Sequence, residues 1–518
     1  MKMRKVLLEI LALSCFCFTA KAQLYDKNWI YGSFVKNDST WFRGNGLMTF
    51  VSDSVYAHKE QFNMPMSEST ITISNADGEL LFYSNGMRIM DSTKTLVTNG
   101  DSLSYGEYWD FLYPQLRDGY YGFGNPNNLL YIQISPFDSV GYLFHIQFNT
   151  YDTDSGSYFC LTRMGLTPDI HIIEKNKIIS STEAPAYSNM AACKHANGRD
   201  WWVTYQEVNT NCYLKYLLTP DTLMRVDKQC LGDTVFEYNS WGARFSMDGS
   251  KYVSVDAFSG LNLFDFDRCN GQFYNPRHLS APVSLDSANN NIYSWATSVA
   301  FSPSGRFLYT IMPDNILQYD LDAQDIEASR DTIAELYLVT DSVVNGNRWF
   351  YYYSSTYGLD GKLYIGPSVS QRSFCVINYP DSLGTSCQFA FEGFKPPTIV
   401  SWIQPYYPNY RLGRLPGSVC DTIYSDIKPI YTQTPWLKVY PNPATDIVRF
   451  DYNWVEWDAV GACQLVLADL QGRVVFSQSL SKYSARLEVN LKNLPSGVYI
   501  AFIQNEKRQL AVCKVMKE

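Results

Sequence analysis

Three segments of this chain superpose without a gap, and they restrict the fold more than any other feature. They are Phe245-Ser-Met-Asp-Gly-Ser-Lys-Tyr-Val-Ser254, Phe301-Ser-Pro-Ser-Gly-Arg-Phe-Leu-Tyr-Thr310 and Tyr357-Gly-Leu-Asp-Gly-Lys-Leu-Tyr-Ile-Gly366. Their glycines, Gly249, Gly305 and Gly361, fall 56 residues apart. Each segment reads as a hairpin: an aromatic ends one strand, a glycine accepts positive φ in the turn, and an alternating strand follows. A third strand continues each unit, at Leu263–Phe266, Leu317–Tyr319 and Val376–Tyr379. Weaker copies carry the turn at Gly78 and Gly198, and Asn128–Ile134 with Tyr142–Phe148 fits a unit between them. These make six units. A seventh is expected from the strand around Leu47–Phe50 closing with Thr398–Trp402.

Repeats of this size built from short strands are β-propeller blades, and ring closure protects the sheet edges. The expected fold is therefore all-β: a β-propeller of six to eight blades, seven favoured, followed by a small Ig-like β-sandwich. Two stacked β-sandwiches are the rival reading. Helical signal is poor, with one short helix expected near Leu321–Ile333.

Aromatic residues make up 15% of the chain and charged residues only 18%, which excludes disorder as its main state. The formal net charge is −9. No basic stripe is present that could displace counterions from a phosphate backbone, so nucleic acid is excluded as a partner.

The N-terminus has the layout of a secretory signal: a basic Met1–Lys5, an apolar stretch Val6–Thr19 and a small-x-small site at Ala20-Lys-Ala22. Cleavage between Ala22 and Gln23 is expected. Two of the twelve cysteines, Cys15 and Cys17, lie in this segment, leaving an even number for an oxidising compartment. Cys375 and Cys387 flank a turn-like stretch and are expected to bridge; Cys193 and Cys212 flank a predicted hairpin and form a second candidate pair. Spacing alone does not fix connectivity.

Several runs resemble a widespread family of secreted bacterial propellers. They are Asn28–Gly32, Ile73–Gly86, Lys194–Trp202, Phe266-Asp-Arg-Cys269, Asp360–Ile365, Pro408-Asn-Tyr-Arg-Leu-Gly413 and Gly417–Thr422, together spanning roughly residues 28–422. The resemblance implies fold and export only. The stretch Tyr105–Asn125 departs most from it.

Residues 421–436 are polar, with Pro429 and Pro435, and read as a linker between a propeller at 23–420 and a terminal module at 437–518. The module has the strand and turn spacing of a small sandwich. It closely resembles the type A C-terminal sorting domain of the bacterial type IX secretion system. The matching positions are Tyr440-Pro441-Asn442-Pro443, Asp469–Val474 with Gly472, Leu494–Tyr499 with Pro495, Gly497 and Tyr499, and the basic tail with Lys514 and Lys517. This resemblance implies the type IX machinery as a partner, passage across the outer membrane, removal of the domain, and attachment to surface lipopolysaccharide or release.

Catalytic constellations are weak. Asp152-Thr-Asp-Ser-Gly-Ser157 misplaces its glycine for a calcium loop and lacks the closing Glu. His195 has no identifiable nucleophile, and Asp265 with Asp267 are better read as strand-end residues than as a glycosidase pair. No catalytic, cofactor or metal residue is assigned, and no cofactor is expected. The expected function is a non-enzymatic module binding a protein or glycan at the cell surface. The alternatives are a hydrolase or lyase with its site at the central mouth, and a structural component of the surface or motility apparatus.

Overall fold

The computed structural model describes residues 23–518 apart from 33–43, 52–53, 63, 65, 67–68, 118–127, 137, 149–156, 236–239, 257–258, 281–282, 286–290, 294–295, 336, 342–345, 369–370, 401–404, 422–436, 453–462, 470–471, 481–485 and 505–508. The expected leader 1–22, most of the linker and residues 152–156 therefore lie outside the described residues. The chain divides into two compact units, 1–422 and 423–518.

The first unit is a run of antiparallel meanders. Sheet 1 pairs Asn28–Tyr31, Gly46–Val51 and Ser54–Lys59; sheet 2 pairs Ile71–Ser74, Leu80–Ser84 and Ile89–Asp91. Five four-stranded sheets follow in sequence order. Sheet 3 spans Leu129–Ile132 to His171–Ser180, sheet 4 Pro185–Lys194 to Leu223–Val235, and sheet 5 Ser240–Phe245 to Gln272–Ser280. Sheet 6 spans Ser298–Phe301 to Asp331–Glu335, and sheet 7 Tyr352–Tyr357 to Phe389–Phe394. Two extra hairpins lie before and after sheet 6.

The repeated turn has one geometry. The N–H of Gly78, Gly198, Gly249, Gly305 and Gly361 donates to the carbonyl three residues back, at 2.8–3.1 Å. All five glycines have φ between 72° and 85°, a region costly for a side chain with a Cβ. That requirement is why the glycines mark the period.

Neighbouring sheets share apolar cores. Ile30 and Tyr83 join sheets 1 and 2. Phe82, Phe144, Tyr213 and Tyr252 belong to one core running through sheets 2 to 5. Val253 meets Leu308 between sheets 5 and 6, and Tyr309 meets Ile365 between sheets 6 and 7. Sheet 7 then packs on sheet 1, where the Tyr364 ring stands edge-on to Trp29 and Phe50 at 5.7 and 5.6 Å. Such aromatic pairs add about 0.5–1.5 kcal/mol each beyond their buried area. The first strands of consecutive sheets also lie side by side, from sheet 1 through sheet 7; their meeting place is called the hub below.

Two expectations are corrected. Leu47–Phe50 lies in a three-stranded sheet with Asn28–Tyr31 and Ser54–Lys59, and among the described residues 398–400 none pairs with it, residues 401–402 lying outside the described residues. Val400 instead makes one isolated antiparallel bridge to Gln371. The helix forms at Glu107–Arg117, not near Leu321–Ile333, where turns lead into a strand beginning at Asp331. Trp109 and Leu112 bury one face of this helix against Met87, Ile146 and Phe148. Its dense aromatics hid a helical period.

The second unit has two sheets. Leu437–Tyr440, Ile447–Tyr452 and Arg486–Asn490 form one; Val474–Ser479, Gln464–Asp469, Gly497–Gln504 and Gln509–Lys517 form the other, in that order. Alternating side chains such as Val448, Phe450, Leu465, Leu467, Ala501 and Ile503 fill a single core between them.

Candidate functional site

In the C-terminal unit, motifs scattered over 80 residues of sequence converge on the last strand. Asn442 Nδ2 donates to Lys514 O at 2.8 Å, and its Oδ1 accepts from Met516 N at 2.8 Å. Ala444 N donates to Met516 O, Glu518 N donates to Ala444 O, and Ala444 pairs with Lys517 in a parallel bridge. One planar amide thus satisfies a donor and an acceptor of an edge strand, a role that Asn fits and an apolar residue cannot. On its other side the same strand pairs Gly497 with Lys517 and Tyr499 with Val515. Tyr499 OH donates back to Pro495 O at 2.7 Å, fixing the turn before it. Pro441 and Pro443 both follow cis peptide bonds. Tyr440 OH donates to Asp451, which Arg486 also grips. Gly472 turns the outer hairpin at φ 81°, where its N–H donates to Asp469 O and Arg473 pairs with the Asp469 carboxylate. Lys514 is exposed and Lys517 partly so. Of the expected sorting residues, the structure therefore unites Asn442, Pro495, Gly497, Tyr499, Lys514 and Lys517. Gly472 stands apart on the outer hairpin.

In the first unit, the hub is closed by both ends of the unit's chain. Residues 405–421 run across it as a clasp. Tyr407 OH donates to Thr72 O in sheet 2 at 2.6 Å, Tyr410 OH to Tyr131 O in sheet 3, and Asn409 Nδ2 to Met247 O beside sheet 5. Leu415 N donates to Ala196 O next to sheet 4. At Gly198 a Cβ would come within 2.5 Å of the Arg414 backbone nitrogen, so the missing side chain lets the clasp pass. Arg411 holds the buried Asp26 carboxylate with two bonds of 2.7 and 2.6 Å and donates to Gln23 O. Lys194 Nζ donates to Gln23 Oε1 at 3.2 Å. Burial lowers the Lys194 pKa to about 8, and the charges of Arg268 and Arg411 push it the same way. Arg268 donates to Lys194 O, His195 O and Gly413 O, and a disulfide joins the adjacent Cys269 to Cys420. The runs Lys194–Trp202, Phe266–Cys269 and Pro408–Gly413 thus meet at one place.

The expected bridges are corrected. Cys212 pairs with Cys230, directly opposite it on the next strand. Cys193 stays a buried thiol because its cross-strand neighbour is Trp202, which in turn faces Leu217. Cys375 and Cys387 are also buried thiols. The carbonyl of Cys387 accepts from Tyr379 N, four residues beyond Cys375. At ~3.3 Å per residue that offset is roughly 13 Å, about twice what a disulfide can span.

The acids and histidine weighed from sequence serve the fold. His195 Nδ1 accepts from Asn197 N, and its Nε2 is 2.9 Å from Cys269 O. Asp265 pairs with Arg277 and Lys251, while Asp267 caps the turn at Cys269 N. Sequence reasoning missed His145. This residue is fully buried, with Nδ1 2.8 Å from Ser104 Oγ and Nε2 3.1 Å from Thr162 Oγ1. It also missed the Cys269–Cys420 pair, although both cysteines lie inside the family-like runs.

Residues 438–518 match the family described as the secretion system C-terminal sorting domain. No curated protein matches the chain. Among solved structures, similarity extends to PorZ, a surface component of the type IX secretion system of Porphyromonas gingivalis. The TM-score is 0.28 at 10% identity, covering 92% of this chain and 74% of that one. Raptor of Chaetomium thermophilum gives 0.33 at 10%, covering 75% and 28%. A putative 6-phosphogluconolactonase of Bacteroides fragilis gives 0.28 at 12%, covering 60% and 94%. At these TM-scores the fold rests on the chain's own strand order and packing.

Proposed function

We propose, from the premise that residues 438–518 are a secretion-system sorting domain, that the chain is a type IX cargo whose first unit works outside the cell as a binding module. The observation that carries this is the convergence of Asn442, Ala444 and the Gly497–Tyr499 strand on residues 514–518, because it brings three of the four sorting motifs together. In this reading residues 1–22 are removed at Ala22–Gln23 and 421–436 are a linker. After transit the domain is cleaved, and the product is attached to surface lipopolysaccharide or released.

The same reading makes residues 23–420 a seven-bladed β-propeller. Seven meanders in sequence order, side-by-side first strands and the core between sheets 7 and 1 all support it. Non-enzymatic recognition of a protein or glycan is supported by the aromatics at the helix. Tyr105, Phe111 and Tyr113, close together in sequence at the helix, are exposed by 50, 47 and 36%.

The test is fractionation of a type IX-competent host and its secretion-deficient mutant. A chain lacking 437–518 is expected to stay folded in the periplasm, and 421–518 fused to a foreign exported protein to carry it to the surface. Full surface yield of the truncated chain would overturn the sorting assignment. A glycan and surface-protein screen with the exported chain tests the binding role, with Tyr105→Ala/Phe111→Ala expected to weaken any hit.

A further inference from the structure

The start of the first unit is held among cations. Tyr25 is fully buried with its ring 4.9 Å from that of Tyr410, and Arg411 grips the buried Asp26 carboxylate. These two anchors fix Gln23 just upstream, where both of its oxygens are engaged. Its Oε1 accepts from Lys194 Nζ at 3.2 Å, and its backbone O accepts from Arg411 at 3.1 Å. Lys194 is only 5% exposed, and Arg268 lies beside it, donating to Lys194 O. The charged groups around Gln23 are therefore Lys194 from sheet 4, Arg268 after sheet 5, Arg411 from the clasp, and Asp26. Beyond Arg268, the Asp248 carboxylate accepts from Ser246 and Ser250. Three cations face two carboxylates, so the surroundings are net positive.

Cleavage after Ala22 would leave Gln23 as the first residue. An α-ammonium there would add one more cation to this group, and like charges at close range disfavour each other. The same surroundings favour the neutral amine, which is the nucleophilic form. An N-terminal glutamine can shed this charge without any second reactant. The α-amine attacks its own Cδ, the N–Cδ bond forms, the Cδ–Nε2 bond breaks, and ammonia leaves with the proton that the amine gives up. The neutral lactam keeps Oε1 as an acceptor for Lys194.

We propose that the mature chain begins with a pyroglutamyl residue at position 23, its lactam oxygen held by Lys194. This inference rests on the cleavage at Ala22–Gln23 and goes beyond the secretion route and the binding role.

The test uses the full chain exported by a type IX-competent host. Trypsin releases its first peptide, Gln23–Lys27, and mass spectrometry reads the lactam as the loss of one ammonia. The lactam is the expected main form. Gln23→Asn has a side chain too short to close the five-membered ring, so its α-amine stays free. The Tm of this variant should lie below that of the wild type at about pH 6. At least half of that deficit should vanish at about pH 9.5, because an α-amine with an ordinary pKa of about 8 is then uncharged. Lys194 also titrates in this range but is common to both proteins. Uncyclised Gln23 as the main form, or a Tm deficit equal at both pH values, would overturn the proposal and leave the leader assignment standing. A main N-terminus at any other residue would overturn the leader assignment and the proposal together.

Discussion

Lowering the pH should destabilise the first unit through one histidine. His145 lies in the strand Val140–Phe148 of sheet 3 with no exposed surface, and its ring is bonded on both sides by neutral hydroxyls. Burial drives its pKa from 6.5 down to about 3. A histidine with a depressed folded pKa contributes its full stability above pH 6.5. That contribution is lost as pH falls toward about 3, because the unfolded chain takes up the proton first. At about 1.4 kcal/mol per pH unit below pH 6.5, going from pH 7 to pH 4.5 should cost about 2–3 kcal/mol through this residue. Glu183, which the Arg225 guanidinium holds below the usual carboxylate range, also loses its pairing in acid, so the wild-type slope alone decides nothing. The measurement is urea unfolding of the wild type and His145→Gln at both pH values, followed by tryptophan fluorescence. The variant should be less stable at pH 7 and lose about 2–3 kcal/mol less on acidification. Equal acid losses in the two proteins would refute the assignment of the slope to His145.

Asn442→Ala should leave the second unit folded while lowering surface yield several-fold, because both bonds to residues 514 and 516 go; fractionation measures it. Cys420→Ser should destabilise the first unit strongly. The closed loop spans a separation of 151 residues, and the entropic model gives about 5 kcal/mol for one of that size. Denaturant melts with and without reductant check it, and equal midpoints would count against a formed bridge. Alkylation of denatured, unreduced protein comprising residues 23–518 should label six thiols, at Cys160, Cys193, Cys375, Cys387, Cys463 and Cys513.

How much was legible follows from what each residue must do locally. The turn glycines were readable because positive φ is a one-residue demand, and five of them repeat it with the same hydrogen bond. The strands of the second unit were readable because their faces alternate over a single core. Pairings between distant segments were not. Cys387 looks like the partner of Cys375 until the 3-10 turn Gly384–Cys387 sets the register, and that turn has no sequence signature. The clasp was visible as a family-like run, yet its work lies in donating to backbone carbonyls in or beside sheets 2 to 5, acceptors that no sequence pattern announces. His145 reads as one more polar residue in a strand; its hydroxyl partners come from residues 104 and 162.

The last strand gives the sorting surface a schedule. Synthesis runs from the N-terminus, so Asn442 leaves the ribosome more than seventy residues before the partners it needs at Lys514 and Met516. Any chain halted before that strand carries the Tyr440–Pro443 run without the neighbour that holds it in shape. In the proposed reading, export through this surface therefore doubles as an inspection of translation: a molecule halted before Lys514 and Met516 has no address to present.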